Sequence, residues 1–134
     1  MAKSKFPPLL RLSYVLQHTA EEALEQEAGV SLSTVRIMSV LGGSGAISQR
    51  QVAMELSQTE ANVSRQLQSM KKQGLVTITR NKKDSRQRDV KLTGKGSRKY
   101  QSADKILKKH QKHLLTTLSV GESKVLQEAA QKLS

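Results

Sequence analysis

Residues 48–96 read SQRQVAMELSQTEANVSRQLQSMKKQGLVTITRNKKDSRQRDVKLTGKG. Ser48 and Gln51 stand three apart, the spacing at which a hydroxyl and a side-chain amide satisfy two unpaired helix N–H groups, so a helix is predicted to start there. Val52, Ala53 and Leu56 form its apolar side. Ser57 and Glu60 repeat the capping spacing nine residues later, which leaves room only for a short turn before the next helix. That second helix is predicted to run to Gly74, with Val63, Leu67 and Met70 on one face and Gly74 in the left-handed conformation that closes it. Ala53 is small where two helices must cross, Ser57 follows four residues later at the turn, and Val63 is β-branched inside the second helix. This is the pattern of a helix-turn-helix. A left-handed serine at the turn costs on the order of 1 kcal/mol relative to glycine, and a capping role for its hydroxyl is expected to offset that.

After Gly74 the period of the pattern changes. Leu75-Val76-Thr77-Ile78-Thr79-Arg80 and Arg88-Asp89-Val90-Lys91-Leu92 are β-prone, and Asn81-Lys82-Lys83-Asp84-Ser85 lies between them, so a hairpin with a charged tip is predicted. Working outward, Leu9, Leu12, Leu16, Ala20 and Ala23 mark one face of a helix over about Pro8 to Ala28, with Pro8 in its first turn and Gly29 at its end. A helix over about Leu32 to Leu41 follows, capped by Ser31 and ended by Gly42-Gly43-Ser44-Gly45, with Val35, Met38 and Leu41 inward. On the other side, Tyr100, Ala103, Leu107, His110, Leu114 and Leu118 recur at steps of three and four in a helix over about Lys95 to Leu118. Ser119 and Glu122 open a last helix with Val125, Leu126, Ala129 and Leu133 inward. The predicted class is mainly α with a small β-hairpin.

The formal net charge of the 134 residues is +12. Residues 1–60 are nearly neutral, whereas residues 61–100 carry twelve Lys/Arg against Asp84 and Asp89. A localised cationic surface of this kind points to nucleic acid. Only Phe6, Tyr14 and Tyr100 are aromatic, too few for the stacking platforms of single-strand and RNA modules, so a double-stranded partner is expected. The absence of cysteine excludes disulfides, thiolate nucleophiles and Cys-ligated zinc. No apolar run approaches the ~20 residues needed to span a bilayer, and Met1 to Pro8 lacks the apolar block of a signal peptide, so no membrane partner and a cytoplasmic location are expected. No phosphate loop, acid pair beside a histidine or activated nucleophile is present, so neither an enzyme nor a cofactor protein is expected.

Val52-Ala53 through Leu56, then Val63-Ser64-Arg65, Gly74-Leu75-Val76, Asp84-Ser85-Arg86 and Leu92-Thr93-Gly94-Lys95-Gly96 resemble the MarR family. Asp-x-Arg followed by Leu-Thr-x-Lys-Gly is the most specific part. Ile78 and Gly94 depart from the residues common there, a basic and an acidic one. The resemblance implies a winged helix-turn-helix over 31–96, flanked by dimerisation helices at 1–30 and 97–134. It also implies a homodimeric, sequence-specific regulator of transcription, usually a repressor, on a pseudo-palindromic DNA site. A pocket for small anionic or phenolic effectors is implied as well; Tyr14, His18 and Arg36 are conceivable lining residues, and the effector site itself stays unassigned.

With Val63, Leu67 and Met70 inward, helical geometry turns Ala61, Arg65, Gln68, Ser69 and Lys72 outward, flanked by Asn62 and Ser64. A recognition helix enters the major groove by its N-terminal half. Ala61, Asn62, Ser64 and Arg65 are therefore the candidates for base edges, with Gln68 beside them and Lys72 toward phosphate. In the hairpin, the resemblance implies that Arg86 enters the minor groove and that Asp84 holds the loop, while Arg80, Lys82, Lys83 and Arg88 add groove or phosphate contacts. His110 and His113 have a spacing that can suit a metal, but carboxylates are sparse around them and His110 falls on the apolar stripe. A packing role is expected there, and no metal site.

Overall fold

A computed structural model describes residues 5–43 and 45–134. Its elements are α1 (Pro8–Ala28), α2 (Leu32–Leu41), β1 (Ile47–Ser48), α3 (Gln49–Glu55), α4 (Glu60–Lys72), β2 (Val76–Arg80), β3 (Arg88–Leu92), α5 (Gly94–Leu115) and α6 (Val120–Leu133). Helices α1 and α2 fall where the apolar spacing predicts them. Gly29 adopts φ 63° and ends α1 with its N–H on the Glu25 carbonyl, while the Ser31 hydroxyl accepts from the Thr34 N–H to start α2. Ser44, placed in the glycine cluster after α2, lies outside the described residues.

The predicted hairpin is part of a three-stranded antiparallel sheet of order β1-β3-β2. Ile47 pairs with Val90 and Ser48 with Asp89, so the two residues before α3 close the open edge of β3. The sheet packs on the helices through Val76 and Val90, and the core continues through Val30, Val35, Ile37, Met38, Leu41, Val52, Ala53, Val63, Leu67, Met70 and Leu75. Leu24 and Ala103 extend it onto α1 and α5. Leu56 is only partly buried at its edge. Glu21 ties α1 to α2 by accepting the Leu32 N–H at 3.0 and 3.2 Å.

The turn between α3 and α4 is built differently from its prediction. Thr59, not Ser57, is the N-cap of α4, accepting from the Asn62 N–H. Ser57 instead closes α3: it adopts φ 52°, its N–H bonds the Met54 carbonyl, and the Gln58 N–H bonds the Ala53 carbonyl. That paired closure needs a left-handed residue, and Ser57 fills the place without the offset expected from capping. Ser57→Gly is expected to stabilise the protein by about 1 kcal/mol, because glycine removes the steric cost of positive φ. Thermal unfolding checks this; an unchanged or lower midpoint would mean that the turn holds no strain.

Helix α5 ends at Leu115 rather than Leu118, because Thr116 caps its C-terminus and the chain turns before Ser119. Ser119 and Glu122 form both halves of the predicted capping box. The Ser119 backbone N–H, on the Glu122 carboxylate, holds that carboxyl below its ordinary range. Helix α6 itself contains no buried residue. Its Val125 and Leu133 are exposed, as are Leu9, Leu10, Leu12 and Leu16 of α1. The predicted stripe of α1 therefore splits, with Ala20 and Leu24 entering the core and the leucines before them facing outward.

Candidate nucleic-acid interface

Helix α4 stands on the core through Val63, Leu67 and Met70, and this fixes which residues face solvent. Ala61, Arg65, Gln68, Ser69 and Lys72 are exposed, as the periodicity predicts; Ser64 is half-buried. Glu60 occupies the first turn and Lys71 and Lys72 the last, each sign placed where it complements the helix dipole. Among the described residues, no intramolecular hydrogen bond or ion pair engages the side chains of Arg65 or Lys72, which leaves both groups available to an external acceptor.

Asn62 is placed otherwise. It is half-buried, and its amide donates to Gln58 Oε1 at 3.0 Å. Gln66 donates to the same oxygen at 2.9 Å, so the three amides lock the start of α4 to the turn. Gln58 lies in the turn before the N-cap Thr59, so helical periodicity gives no signal for this contact.

The wing is a fastened loop. Asn81 Oδ1 accepts the N–H groups of Lys83 and Asp84 at 2.8 and 2.9 Å, and Asp84 Oδ1 accepts the Arg86 N–H at 3.0 Å. Asp84 thus holds the loop through a hydrogen bond to backbone. Arg88 turns back on the Ser85 carbonyl at 3.1 Å and is half-buried, unlike the exposed Arg80, Lys82, Lys83 and Arg86. Below the tip, Asp89 accepts from Asn81 at 2.8 Å and from Gln87 at 2.9 Å. Sequence reasoning missed Asn81 and Asp89; their signal is that asparagine and aspartate satisfy backbone locally in turns.

The Leu92-Thr93-Gly94-Lys95-Gly96 run joins the wing to α4 and α5. Thr93 caps α5 by accepting the Gly96 N–H and donates its hydroxyl to the Gly74 carbonyl at 2.6 Å. Lys95 reaches the Gln73 carbonyl at 2.8 Å, placing a cation on the C-terminal carbonyls of α4. One short segment therefore positions both the exposed helix and the wing.

His110 Nε2 lies 2.7 Å from Thr19 Oγ1 between α5 and α1, the expected packing role. No group of three or more metal-ligating side chains occurs among the described residues. Tyr14 and His18 stack on each other on α1, and Arg36 donates to Gln17. Two clefts of about 470 and 350 Å³ lie along α5 and α6, lined in part by Leu115, Ser123 and Gln127. No helix of the described residues is long and apolar enough to cross a membrane.

A helix-turn-helix whose second helix is exposed beside a β-hairpin defines a winged helix-turn-helix protein. The MarR family profile matches residues 28–87. The HTH-type transcriptional regulator BilQ of Clostridium symbiosum (strain WAL-14163) is 27% identical over 108 residues, covering 81% of this chain and 75% of that one. A crystal structure of MarR superposes with a TM-score of 0.89 at 15% identity, covering 99% and 92% of the two chains. The MepR–DNA complex of S. aureus gives 0.81 at 20%, covering 98% and 97%. Residues 28–87 are thus similar to the MarR family, and the fold over nearly the whole chain is that of the MarR crystal structure.

Proposed function

We propose that the protein is a homodimeric, sequence-specific DNA-binding regulator, acting as a repressor in the cytoplasm, with α4 in the major groove and the wing in the adjacent minor groove. The observation that carries this reading is the pairing of an unengaged Arg65 on the outer face of α4 with a wing whose backbone is already fastened around Arg86. Both cations are held on ordered backbone, so little ordering accompanies binding at either place. Ala61, Ser64, Arg65 and Gln68 face the bases, Lys72 and Lys82 the phosphates, with Arg80 and Lys83 at the groove edge. Asn62 and Arg88 act as supports for α4 and the wing. The fold of the MepR–DNA complex, shared here over nearly the whole chain, is compatible with this arrangement. A small anionic or phenolic effector would act by changing the spacing of the two α4 helices.

Selection of binding sites from random duplexes, followed by footprinting, tests the proposal. A two-fold symmetric consensus preferred over random DNA by ~10³ or more is expected. No enrichment would reject sequence-specific regulation in favour of architectural binding. On the selected site, Arg65→Ala is expected to cost about 1–3 kcal/mol at one base step, as loss of a bidentate guanine contact would. Equal weakening on all sequences would make Arg65 a phosphate contact. Arg86→Ala is expected to lose most affinity where the flanks are A·T-rich, since narrow minor grooves concentrate negative potential. Equal losses on A·T-rich and G·C-rich flanks would remove the wing from the groove.

A further inference from the structure

The charge of the folded chain divides in a way that the recognition helix and wing do not account for. Residues 60–92, which hold α4 and the wing, carry nine Lys/Arg against three acids, net +6. Helix α5 alone carries seven Lys/Arg against Asp104, also net +6. The rest of the chain is neutral. Half of the excess therefore sits on one helix outside the surface assigned to DNA reading.

The cations of α5 are not evenly spread. The inner side is set by buried Ala103 and partly buried Ile106, Leu107 and His110, the last against Thr19 of α1. Helical geometry then turns Arg98, Lys105, Lys109 and Lys112 to the opposite side, and all four are exposed. They form one stripe ~21 Å long by helical rise. Lys108 lies beside it but is engaged with Asp104 at 2.7 Å, leaving the stripe without a carboxylate partner among the described residues. A duplex carries one phosphate charge per ~1.7 Å of axis with both strands counted, so a segment of the same length holds about twelve negative charges, of which those on the near side can meet this face.

The stripe also stands apart from the other surface. Helix α5 starts at the C-terminal end of α4, where Lys95 meets the Gln73 carbonyl, while the base-reading residues lie at the other end of α4. The wing tip is likewise at the Arg88 end of β3, and α5 follows the Leu92 end. Lys105, Lys109 and Lys112 come three or more helical turns further along, on the part of α5 packed against α1. A straight duplex seated on α4 and the wing is thus not placed to reach them.

We propose that the outward face of α5 is a second, sequence-independent surface for the backbone of duplex DNA, allowing a protein bound through α4 to hold another segment. The test uses full-length protein loaded at low salt on a bead-bound 24-bp mixed-sequence duplex, with capture of a labelled second duplex as the readout. Wild type is expected to capture it. The triple variant Lys105→Gln/Lys109→Gln/Lys112→Gln is expected to load the first duplex normally and capture the second about tenfold less, with Lys→Arg at the same positions restoring capture. Undiminished capture by the glutamine variant would overturn the proposal, as would a loaded wild type that captures nothing. A defect seen only with single-stranded RNA would overturn it in favour of an RNA surface. Arg65→Gln/Arg86→Gln separates this outcome from failure of the α4 assignment. Duplex binding that survives in that variant and disappears when the three glutamines are added belongs to α5, whatever α4 does.

Discussion

Gly96→Ala is expected to destabilise the protein by about 3 kcal/mol or more, the upper end of overpacking costs, and to lower its melting midpoint by roughly 10 °C. A Cβ at this position would lie far inside van der Waals contact with the Leu75 carbonyl oxygen, 2.9 Å from the Leu75 carbonyl carbon and 3.1 Å from Leu92 Cδ2. Two of these three atoms are backbone, so no rotamer change relieves the contact. The same Leu75 carbonyl accepts the Thr93 N–H at 3.0 Å, and any shift of α5 strains that bond together with the Thr93 and Lys95 bonds to the end of α4. Loss of DNA affinity should therefore accompany the loss of stability, even though Gly96 is buried. Gly94→Ala is the control, because its Cβ would meet only the flexible Arg98 guanidinium at 3.4 Å. There a glycine at the first position of α5 becomes alanine, which narrows the unfolded ensemble without a clash, and the midpoint is expected to hold or rise. Thermal unfolding of the two variants decides the matter; equal midpoints would show that α5 does not depend on this close approach.

The limits of α1 and α2 were legible in the sequence because proline, serine and glycine stand at their ends with unambiguous local roles. The 92–96 motif was legible as a signature, but its physical content was not, since the carbonyls of Gln73, Gly74 and Leu75 that it binds are backbone atoms without side-chain identity. Strand β1 escaped because two residues cannot show a period; only the Asp89 and Val90 edge makes them a strand. Ser57 and Thr59 both offer hydroxyls near the start of α4, and the choice between them depended on where α3 needed a left-handed residue to close. The outward-facing cations of α4 followed from period alone. Asn62 did not, because its partner Gln58 lies in a turn whose geometry the periodicity leaves open. Leu24 escaped for a different reason: α1 serves one set of neighbours with Ala20 and Leu24 and leaves Leu9 to Leu16 to another, so a single stripe does not describe it.

Helix α6 makes the remaining prediction the most consequential for the proposed function. A 14-residue helix without a buried residue draws almost nothing from the rest of its own chain, and an isolated helix of that length is marginal in water. Val125 is 65% exposed and Leu133 81%, while on α1 Leu9 is 70% exposed. Patches of this kind are the mark of association, and a two-fold partner that covers them would also set two α4 helices about one DNA turn apart. Leu9→Asp/Leu133→Asp alters side chains that contribute little inside one protomer, so the winged part should keep its fold, and the helical circular dichroism signal should fall by no more than the share of α6. Sedimentation at micromolar concentration is expected to shift the variant from dimer to monomer. Affinity for a symmetric site should fall by ~10²-fold or more, because each half-site is then bound without the effective concentration that the linked partner supplies. Affinity for a single half-site should stay within a few-fold of wild type. A variant that remains dimeric would place the dimer contact elsewhere on the chain, and a monomeric variant with full affinity for the symmetric site would mean that recognition does not require two linked α4 helices.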